Sequence, residues 1–214
     1  MDLNCYEKFL DDDKNLINNI YKKYRNIEKS VAGLKINLNN RKILILWLIE
    51  VCRVWKLLPA TLCLTISIID RFLEKETIKS KNNLQLLGAT ALFLAYKYEE
   101  RPEINFFVDI TDCITECTKD EIVLMEIKIL FVIDFNLSAP TTNTFLIIYY
   151  ELLQTDFVTK MLCNELNQRL LLEYSMLKYK PSLIAASVIC VILNDNVMKI
   201  ENLIECIKEI KLLM

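Results

Sequence analysis

The side chains best suited to catalysis are scarce in this sequence. It contains no histidine among its 214 residues, which removes Ser-His and Cys-His nucleophilic pairs and the commonest general base. An enzyme would therefore have to work with carboxylates, lysine or tyrosine. Glu99 and Glu100 are candidate acids, but adjacent positions on a helix point about 100° apart and do not converge on one substrate atom. We therefore expect a protein with no catalytic chemistry of its own.

The eight cysteines are scattered through apolar stretches and follow no spacing typical of a disulfide scaffold. We expect them to be reduced and mostly buried. Cys113 and Cys117 are the only close pair, and with no other clustered ligand they make a poor zinc site. The sequence therefore predicts neither a metal nor a cofactor.

Composition favours helices and argues against two classes of partner. Hydrophobic residues make up 53% of the chain, yet it has only two glycines and four prolines, so the residues that punctuate β-hairpins are nearly absent. The net charge is −2 with no dense basic patch, which argues against nucleic acid as the main partner. The longest apolar runs fall short of the roughly 18 residues that span a bilayer. With no secretory signal visible at the N-terminus, we expect an all-α protein of the nucleus or cytoplasm.

Apolar spacing predicts an N-terminal helix and then a first unit of five helices. Ile17, Ile20, Tyr21 and Tyr24 recur at the spacing of one helical face. Pro59 suits the first turn of a helix, and Thr118 with Glu121 forms a capping box. The five predicted helices cover residues 41–55, 59–74, 84–100, 103–110 and 118–132.

A second helical unit follows a linker. Pro140 disfavours helix at Ala139, and small residues recur at mid-helix in Ser182–Ser187 about 97 residues after Leu84–Ala91, a weak internal repeat. Predicted helices cover residues 142–153, 156–177, 181–193 and 200–213. The predicted organisation is a flexible segment at 1–12, an N-terminal helix and connection at 13–39, a first unit at 40–134, a linker at 135–140 and a second unit at 141–214.

Several segments resemble the cyclin box, in that family's order and near its spacing. They are Arg41–Val51, Ile69–Leu73, Leu84–Thr90, Ala95–Glu100, Met125–Glu126 and Asn136–Thr141. Tyr179–Ala186 further resembles the centre of the second cyclin fold, so the resemblance covers residues 14–214. It implies two tandem cyclin-fold bundles after an N-terminal helix, the second shortened at its C-terminus because the family's last helix has no room. The segments resemble D-type and A-type cell-cycle cyclins most. A short cyclin from a virus or a parasite would fit this sequence.

This resemblance implies a regulatory subunit that binds a cyclin-dependent kinase as a heterodimer and activates it. Cyclins stabilise the active position of the kinase's mobile regulatory helix, on which catalysis depends. The matching positions that hydrogen-bond that helix are Lys97 and Glu126. The matching apolar contacts are Leu94, Tyr98, Leu130, Phe135 and Leu137, although Leu94 and Leu130 also suit a core. Arg41 and Asp70 match a buried structural pair, for which losing one partner costs roughly 3–5 kcal/mol.

Two further docking sites follow from the resemblance. The family's groove for substrates with basic-then-leucine motifs maps onto Ile43, Leu44, Trp47, Glu50, Leu84 and Gln85. This chain has Asn40 where the family usually has methionine and Leu46 where many members have aspartate, so one wall of the groove loses about 1–2 kcal/mol of apolar contact. Trp47 is equally compatible with a place in the core.

Near the N-terminus, Leu3, Cys5 and Glu7 match the Leu-x-Cys-x-Glu motif with which D-type cyclins and viral proteins bind the retinoblastoma pocket. Such a motif needs an extended peptide whose Leu and Cys enter apolar pockets. The acidic residues 11–13 would favour a basic surface on the partner.

Three other functions stay open at this point. One is a cyclin-fold module that contacts no kinase, as in transcription factor IIB. A version of this module that binds nucleic acid would be expected to show a basic face, which this acidic chain lacks. Another is a viral decoy that binds a kinase or a pocket protein without activating the kinase. The third, an enzyme built on carboxylates, is the least supported.

Overall fold

The chain folds into helices throughout the residues that its computed structural model describes. These are residues 3–31, 33–78, 80–100, 117–193 and 201–214, with side chains described from residue 15 and, in the last stretch, from residue 204. Within these ranges no strand is present, which confirms the all-α prediction. The helices are α1 (Leu3–Ile27), α2 (Leu38–Val54), α3 (Pro59–Lys75), α4 (Lys81–Glu99), α5 (Lys119–Val132), α6 (Thr142–Leu152), α7 (Phe157–Leu170), a 3₁₀-helix (Tyr174–Lys178), α8 (Pro181–Ile192) and α9 (Glu201–Leu213).

Helices α2 to α5 surround the first hydrophobic core, with α4 at its centre. The middle of α4 is buried on all sides, and a Cβ atom added at Gly88 would lie 2.7 Å from Cδ1 of Leu44 on α2. Helices α2 and α4 can approach this closely because residue 88 has no side chain. The N-termini of α3 and α5 lie where the sequence predicts, at Pro59 and after the Thr118–Glu121 capping box.

The second core lies among α6 to α9, and α1 packs against it. The ring of Tyr21 on α1 meets that of Phe145 on α6 edge to face, 5.9 Å between centroids. Just beyond α1, the buried carboxylate of Glu28 accepts hydrogen bonds from the backbone N–H of Ser182 at 2.9 Å and from its hydroxyl at 2.7 Å. The N-terminal helix therefore packs with the second unit, although it precedes the first in sequence.

A buried arginine joins the two units. The guanidinium of Arg41 on α2 donates to both carboxylate oxygens of Asp70 on α3, at 2.8 Å each, and to the backbone carbonyl of Leu171 after α7 at 3.1 Å. Arg41 and Asp70 are each 2% exposed. Burial raises the pKa of the Asp70 carboxyl, and the facing guanidinium opposes that rise. Two short hydrogen bonds hold the pair in its ionic form.

Two predictions about helix limits need correction. The predicted helix at 156–177 is wrong, because α7 ends at Leu170 and a 3₁₀-helix follows. The carbonyl of Leu171 accepts its hydrogen bond from Arg41, while Leu171 and Leu172 pack against the first core. The N-terminal helix, expected from residue 13, begins at Leu3, while the flexibility of the N-terminal segment stays a prediction. The predicted helix at 103–110 lies outside the described residues.

Among the described residues, no helix combines the length and the hydropathy needed to cross a bilayer.

Replacing Arg41 with alanine should lower the free energy of unfolding far more than removing an exposed arginine does. The change leaves Asp70 buried without a partner, which we expect to lower the free energy of unfolding by roughly 3–5 kcal/mol in a urea titration. Arg53→Ala is the matched control, because Arg53 makes the same two-pronged contact with Glu50 at the surface. It should leave the unfolding midpoint nearly unchanged. Equal losses in the two variants would show that Arg41 does not join the units.

Candidate functional site

Lys97 and Glu126 form an ion pair across α4 and α5. Lys97 lies in the last turn of α4 and Glu126 in the middle of α5, and the ammonium Nζ contacts Oε1 of the carboxylate. The same Nζ lies 4.3 Å from the centroid of the Phe93 ring. The side chains are 39% and 21% exposed, so both charged groups remain accessible at the rim of the first core. An ammonium has three donors and a carboxylate about four acceptor sites, so each can bind a second partner.

The apolar residues predicted beside this pair divide into surface and core. Tyr98 and Phe135 are more than half exposed, at 51% and 59%. Leu130 and Leu137 are half-buried and pack against the first core, and Leu94 is buried within it. The structure thus exposes two large rings, and it leaves Leu94 no surface for a partner.

Two residues in the left-handed region direct the chain out of α5. Asp134 has φ of 56° and Phe135 has φ of 55°, a conformation that bulky residues rarely adopt. Lys75 on α3 secures the turn by donating to the Val132 carbonyl at 2.7 Å and to the Asp134 carboxylate at 3.0 Å. The turn places the Phe135 ring against Phe131, edge to face with centroids 5.2 Å apart. Strain of this kind is often retained where a side chain must be presented to a partner.

Four further residues of α5 form an exposed apolar surface that the sequence analysis missed. At about 100° per residue, Val123, Ile127, Phe131 and Leu124 follow Leu130 round the helix, away from the core. We call these four the α5 arc. They are 47% to 67% exposed, and apolar patches of this kind commonly mark interaction sites. The signal was present in the sequence, because the apolar residues of α5 are spread round the helix and are not confined to one face, but large apolar residues of a helix are normally read as buried.

The predicted substrate groove is partly surface and partly core. Ile43 is 65% exposed, whereas Leu44 and Leu84 are buried. Trp47 is half-buried and packs between the first core and a small cluster that includes Leu86 and Ile122. Gln85 is half-buried beside Leu84. The remaining residue, Glu50, accepts two hydrogen bonds from Arg53, which hold the pKa of its carboxyl below the usual range.

The carboxylates considered for catalysis have structural surroundings. Oε1 of Glu100 accepts hydrogen bonds from the Leu58 backbone N–H and the Thr61 hydroxyl, both at 2.7 Å, and so caps the start of α3. Burial raises the pKa of Glu99, and the neighbouring Glu100 adds to that rise. Glu100 therefore stabilises the fold by capping the start of α3.

The remaining predictions concern the cysteine thiols and the N-terminal Leu-x-Cys-x-Glu motif. Burial raises the pKa of the Cys52 and Cys63 thiols to about 12, so both are protonated at neutral pH. No group of three or more possible metal ligands occurs in the described part of the chain. Leu3, Cys5 and Glu7 lie in the first turns of α1, and their side chains, like Cys113, lie outside the described residues.

Comparison with known proteins matches nearly the whole chain to one family. Residues 12–138 match the family model described as "Cyclin, N-terminal domain", and residues 140–213 match "Cyclin, C-terminal domain". Cyclin-B2-1 of Oryza sativa subsp. japonica is 44% identical over 156 residues, which cover 72% of this chain and 36% of that protein. Cyclin-A3-3 of Arabidopsis thaliana is 40% identical over 158 residues, covering 71% and 47%. The chain thus spans less than half the length of these curated relatives.

Solved structures share the fold at lower sequence identity. The X-ray structure of a viral cyclin from Herpesvirus saimiri aligns with a TM-score of 0.76 at 20% identity, covering 92% of this chain and 96% of that one. A chain from the crystal structure of the yeast RNA Pol II CTD kinase CTDK-1 complex aligns with a TM-score of 0.60 at 14% identity, covering 81% and 64%.

Proposed function

Because this chain belongs to the cyclin family, we propose that it is the non-catalytic regulatory subunit of a cyclin-dependent serine/threonine kinase. It binds the kinase as a heterodimer in the nucleus or cytoplasm and activates it, which promotes cell-cycle progression. The observation that carries this proposal is the Lys97–Glu126 pair, which presents one cation and one anion at the rim of the first core beside exposed apolar side chains.

The proposed mechanism is a shift in the conformation of the kinase. A kinase of this class becomes active when its mobile helix moves inward and a glutamate of that helix pairs with the nucleotide-binding lysine. Lys97 would donate to backbone carbonyls of the mobile helix, and Glu126 would accept from its backbone N–H groups. Because these bonds form only with the inward position, binding free energy favours the active state. The ion pair orients both side chains before the kinase arrives, which lowers the entropy cost of binding.

We propose that the kinase also covers the α5 arc. Leu130 lies next to Val123 round α5, so a partner that contacts Glu126 and Leu130 is already beside the arc. Covering these side chains removes apolar area from water at about 25 cal/mol per Å². Phe131 and Phe135 together offer a rigid aromatic surface, of the type that often dominates binding energy. The kinase surface that meets them would be apolar.

Two docking functions are proposed beside kinase activation. The exposed Ile43, with Trp47, Glu50 and Gln85, would bind substrates that carry a basic-then-leucine motif, with Leu44 and Leu84 supporting the groove from the core. Leu3, Cys5 and Glu7 would bind a retinoblastoma-type pocket protein. This second contact requires the first turns of α1 to unwind into an extended peptide, and terminal turns are the easiest part of a helix to open.

Kinase activation should depend on both charged residues of the pair. The full chain is mixed with a panel of cyclin-dependent kinases, and binding and phosphorylation of a retinoblastoma-protein fragment are measured. Lys97→Ala and Glu126→Ala should each weaken binding by 2–5 kcal/mol, roughly 30-fold or more, and abolish activation. Both should unfold within about 1 kcal/mol of the parent, since the pair is partly exposed. Arg169→Ala is the control, because Arg169 lies on α7 in the second unit and makes an exposed ion pair with Glu165 at 2.7 Å.

Other results would redirect the proposal. Binding without activation would identify a decoy, and no binding to any kinase would leave a cyclin fold with a different partner.

The α5 arc should contribute to kinase affinity separately from the ion pair. A carboxylate introduced by Leu124→Glu or Phe131→Glu would be buried against an apolar kinase surface, so we expect binding at least tenfold weaker. The control is Phe157→Glu on α7, where an equally exposed ring (75%) lies in the second unit. Calorimetric titration with the activated kinase measures all three. Unchanged affinity in both arc variants would restrict the kinase contact to the side of α5 that carries Glu126.

The two docking sites should change substrate use without changing the chemical step. Ile43→Glu should raise KM for a peptide with the basic-then-leucine motif, while kcat and the KM of a peptide without the motif stay unchanged. Cys5→Arg should abolish capture of a retinoblastoma pocket domain and leave kinase activation intact. Steady-state kinetics and a pull-down measure these effects, and parent-like behaviour of either variant would remove the corresponding site.

A further inference from the structure

We propose that the cavity between the two helical units binds a small organic anion, a monocarboxylate with an apolar body. The cavity has a volume of about 450 Å³ and lies among α3, the linker, the end of α7 and the 3₁₀-helix. Small-molecule sites typically occupy about 300–1,000 Å³ and lie between structural units. Neither the kinase contact nor the substrate groove proposed above uses it.

Arg71 supplies the cation for this site. Its Nε donates to the Ser67 carbonyl at 3.2 Å, and its Nη1 donates to the Asn136 carbonyl in the linker at 2.6 Å. These two bonds fix the guanidinium against the cavity wall. The remaining nitrogen, Nη2, is buried and has no hydrogen-bond partner. A buried donor left unsatisfied costs about 1–3 kcal/mol, and more when the group is charged.

No carboxylate of the described residues compensates this charge. Asp70 is bound by Arg41, Asp134 by Lys75 at 3.0 Å and Glu173 by Lys42 at 3.3 Å. Glu74 also lines the cavity, but no acid in the described part of the chain lies within ion-pair distance of Arg71. Burial lowers the pKa of Arg71, and no neighbouring acid offsets that effect. An anion entering the cavity would supply the missing charge, and a small shift of the side chains that cover Nη2 would let it supply the missing acceptor as well.

The surrounding walls indicate which anion fits. A planar guanidinium edge matches the two oxygens of a carboxylate. Apolar side chains form much of the remaining wall, so the rest of the ligand should be apolar. Four acidic residues and three further basic residues line the cavity with Arg71, so its formal charges balance and a ligand with a single negative charge is favoured over one with several. The apolar lining residues include Ile66, Ile133, Pro140, Leu170, Met176 and Ile184.

The test compares carboxylates with their neutral amides. The full chain is titrated calorimetrically, at matched ionic strength, with butyrate, benzoate and 4-phenylbutyrate, with the amide of each, and with inorganic phosphate and citrate. At least one carboxylate should bind tenfold or more tightly than its amide, and phosphate and citrate should not bind. Arg71→Gln should abolish this preference. Lys29→Gln, which removes another cation of the same wall, should keep binding within about threefold.

A second variant separates binding from folding, because Arg71 also holds the linker. Ser67→Leu places a larger side chain in the cavity and leaves the Ser67 backbone carbonyl available to Arg71, so carboxylate binding should be lost while the unfolding midpoint stays near the parent's. Three results would overturn the proposal: equal binding of acids and amides, which would indicate that water alone satisfies Arg71, tighter binding of phosphate or citrate, or no binding by any member of the series.

Discussion

The arrangement of the two units depends on the hydrogen bonds of one buried side chain, Arg41. A guanidinium that is 2% exposed is stable only if its charge and its donors are satisfied. Asp70 supplies the charge from α3, and the Leu171 carbonyl supplies an acceptor from the second unit. The same contacts bring α2 against α3, end α7 at Leu170 and turn Leu171 and Leu172 toward the first core. The cavity beside Arg71 exists because the units meet in this way.

Most helix positions could be predicted because their ends have local chemical causes. Pro59 and Pro181 begin helices, and the Thr118–Glu121 box caps α5. The end of α7 has no such cause in its own sequence, since the residue that stops it is 130 positions away in the chain. The left-handed turn at Asp134 and Phe135 is similarly hard to predict, because phenylalanine rarely adopts this conformation, although aspartate tolerates it, and Lys75 stabilises the turn from another helix.

The proposed functional surface was likewise only partly predictable from the sequence. The resemblance to the cyclin box pointed to Lys97 and Glu126, and the structure brings their side chains into contact. Spacing alone could not separate Leu94, which is core, from Tyr98, which is exposed, because both belong to one apolar helix. It also failed to identify the α5 arc. Large apolar residues that are spread round a helix are normally read as enclosed, and only the tertiary structure shows that one side of α5 remains uncovered.

The packing of α1 has a consequence for the order in which the protein is built. A ribosome releases α1 before the first bundle, yet the main contacts of α1, from Tyr21 to Phe145 and from Glu28 to Ser182, span more than 120 residues. Domains generally fold as they emerge, so residues 38–132 can form the first bundle while α1 has nothing to pack against. The apolar face of α1 stays exposed to solvent and to chaperones until α6 and α8 have been synthesised. Closing this long loop is therefore a late step, and it ties α1 to helices that are synthesised after the first bundle.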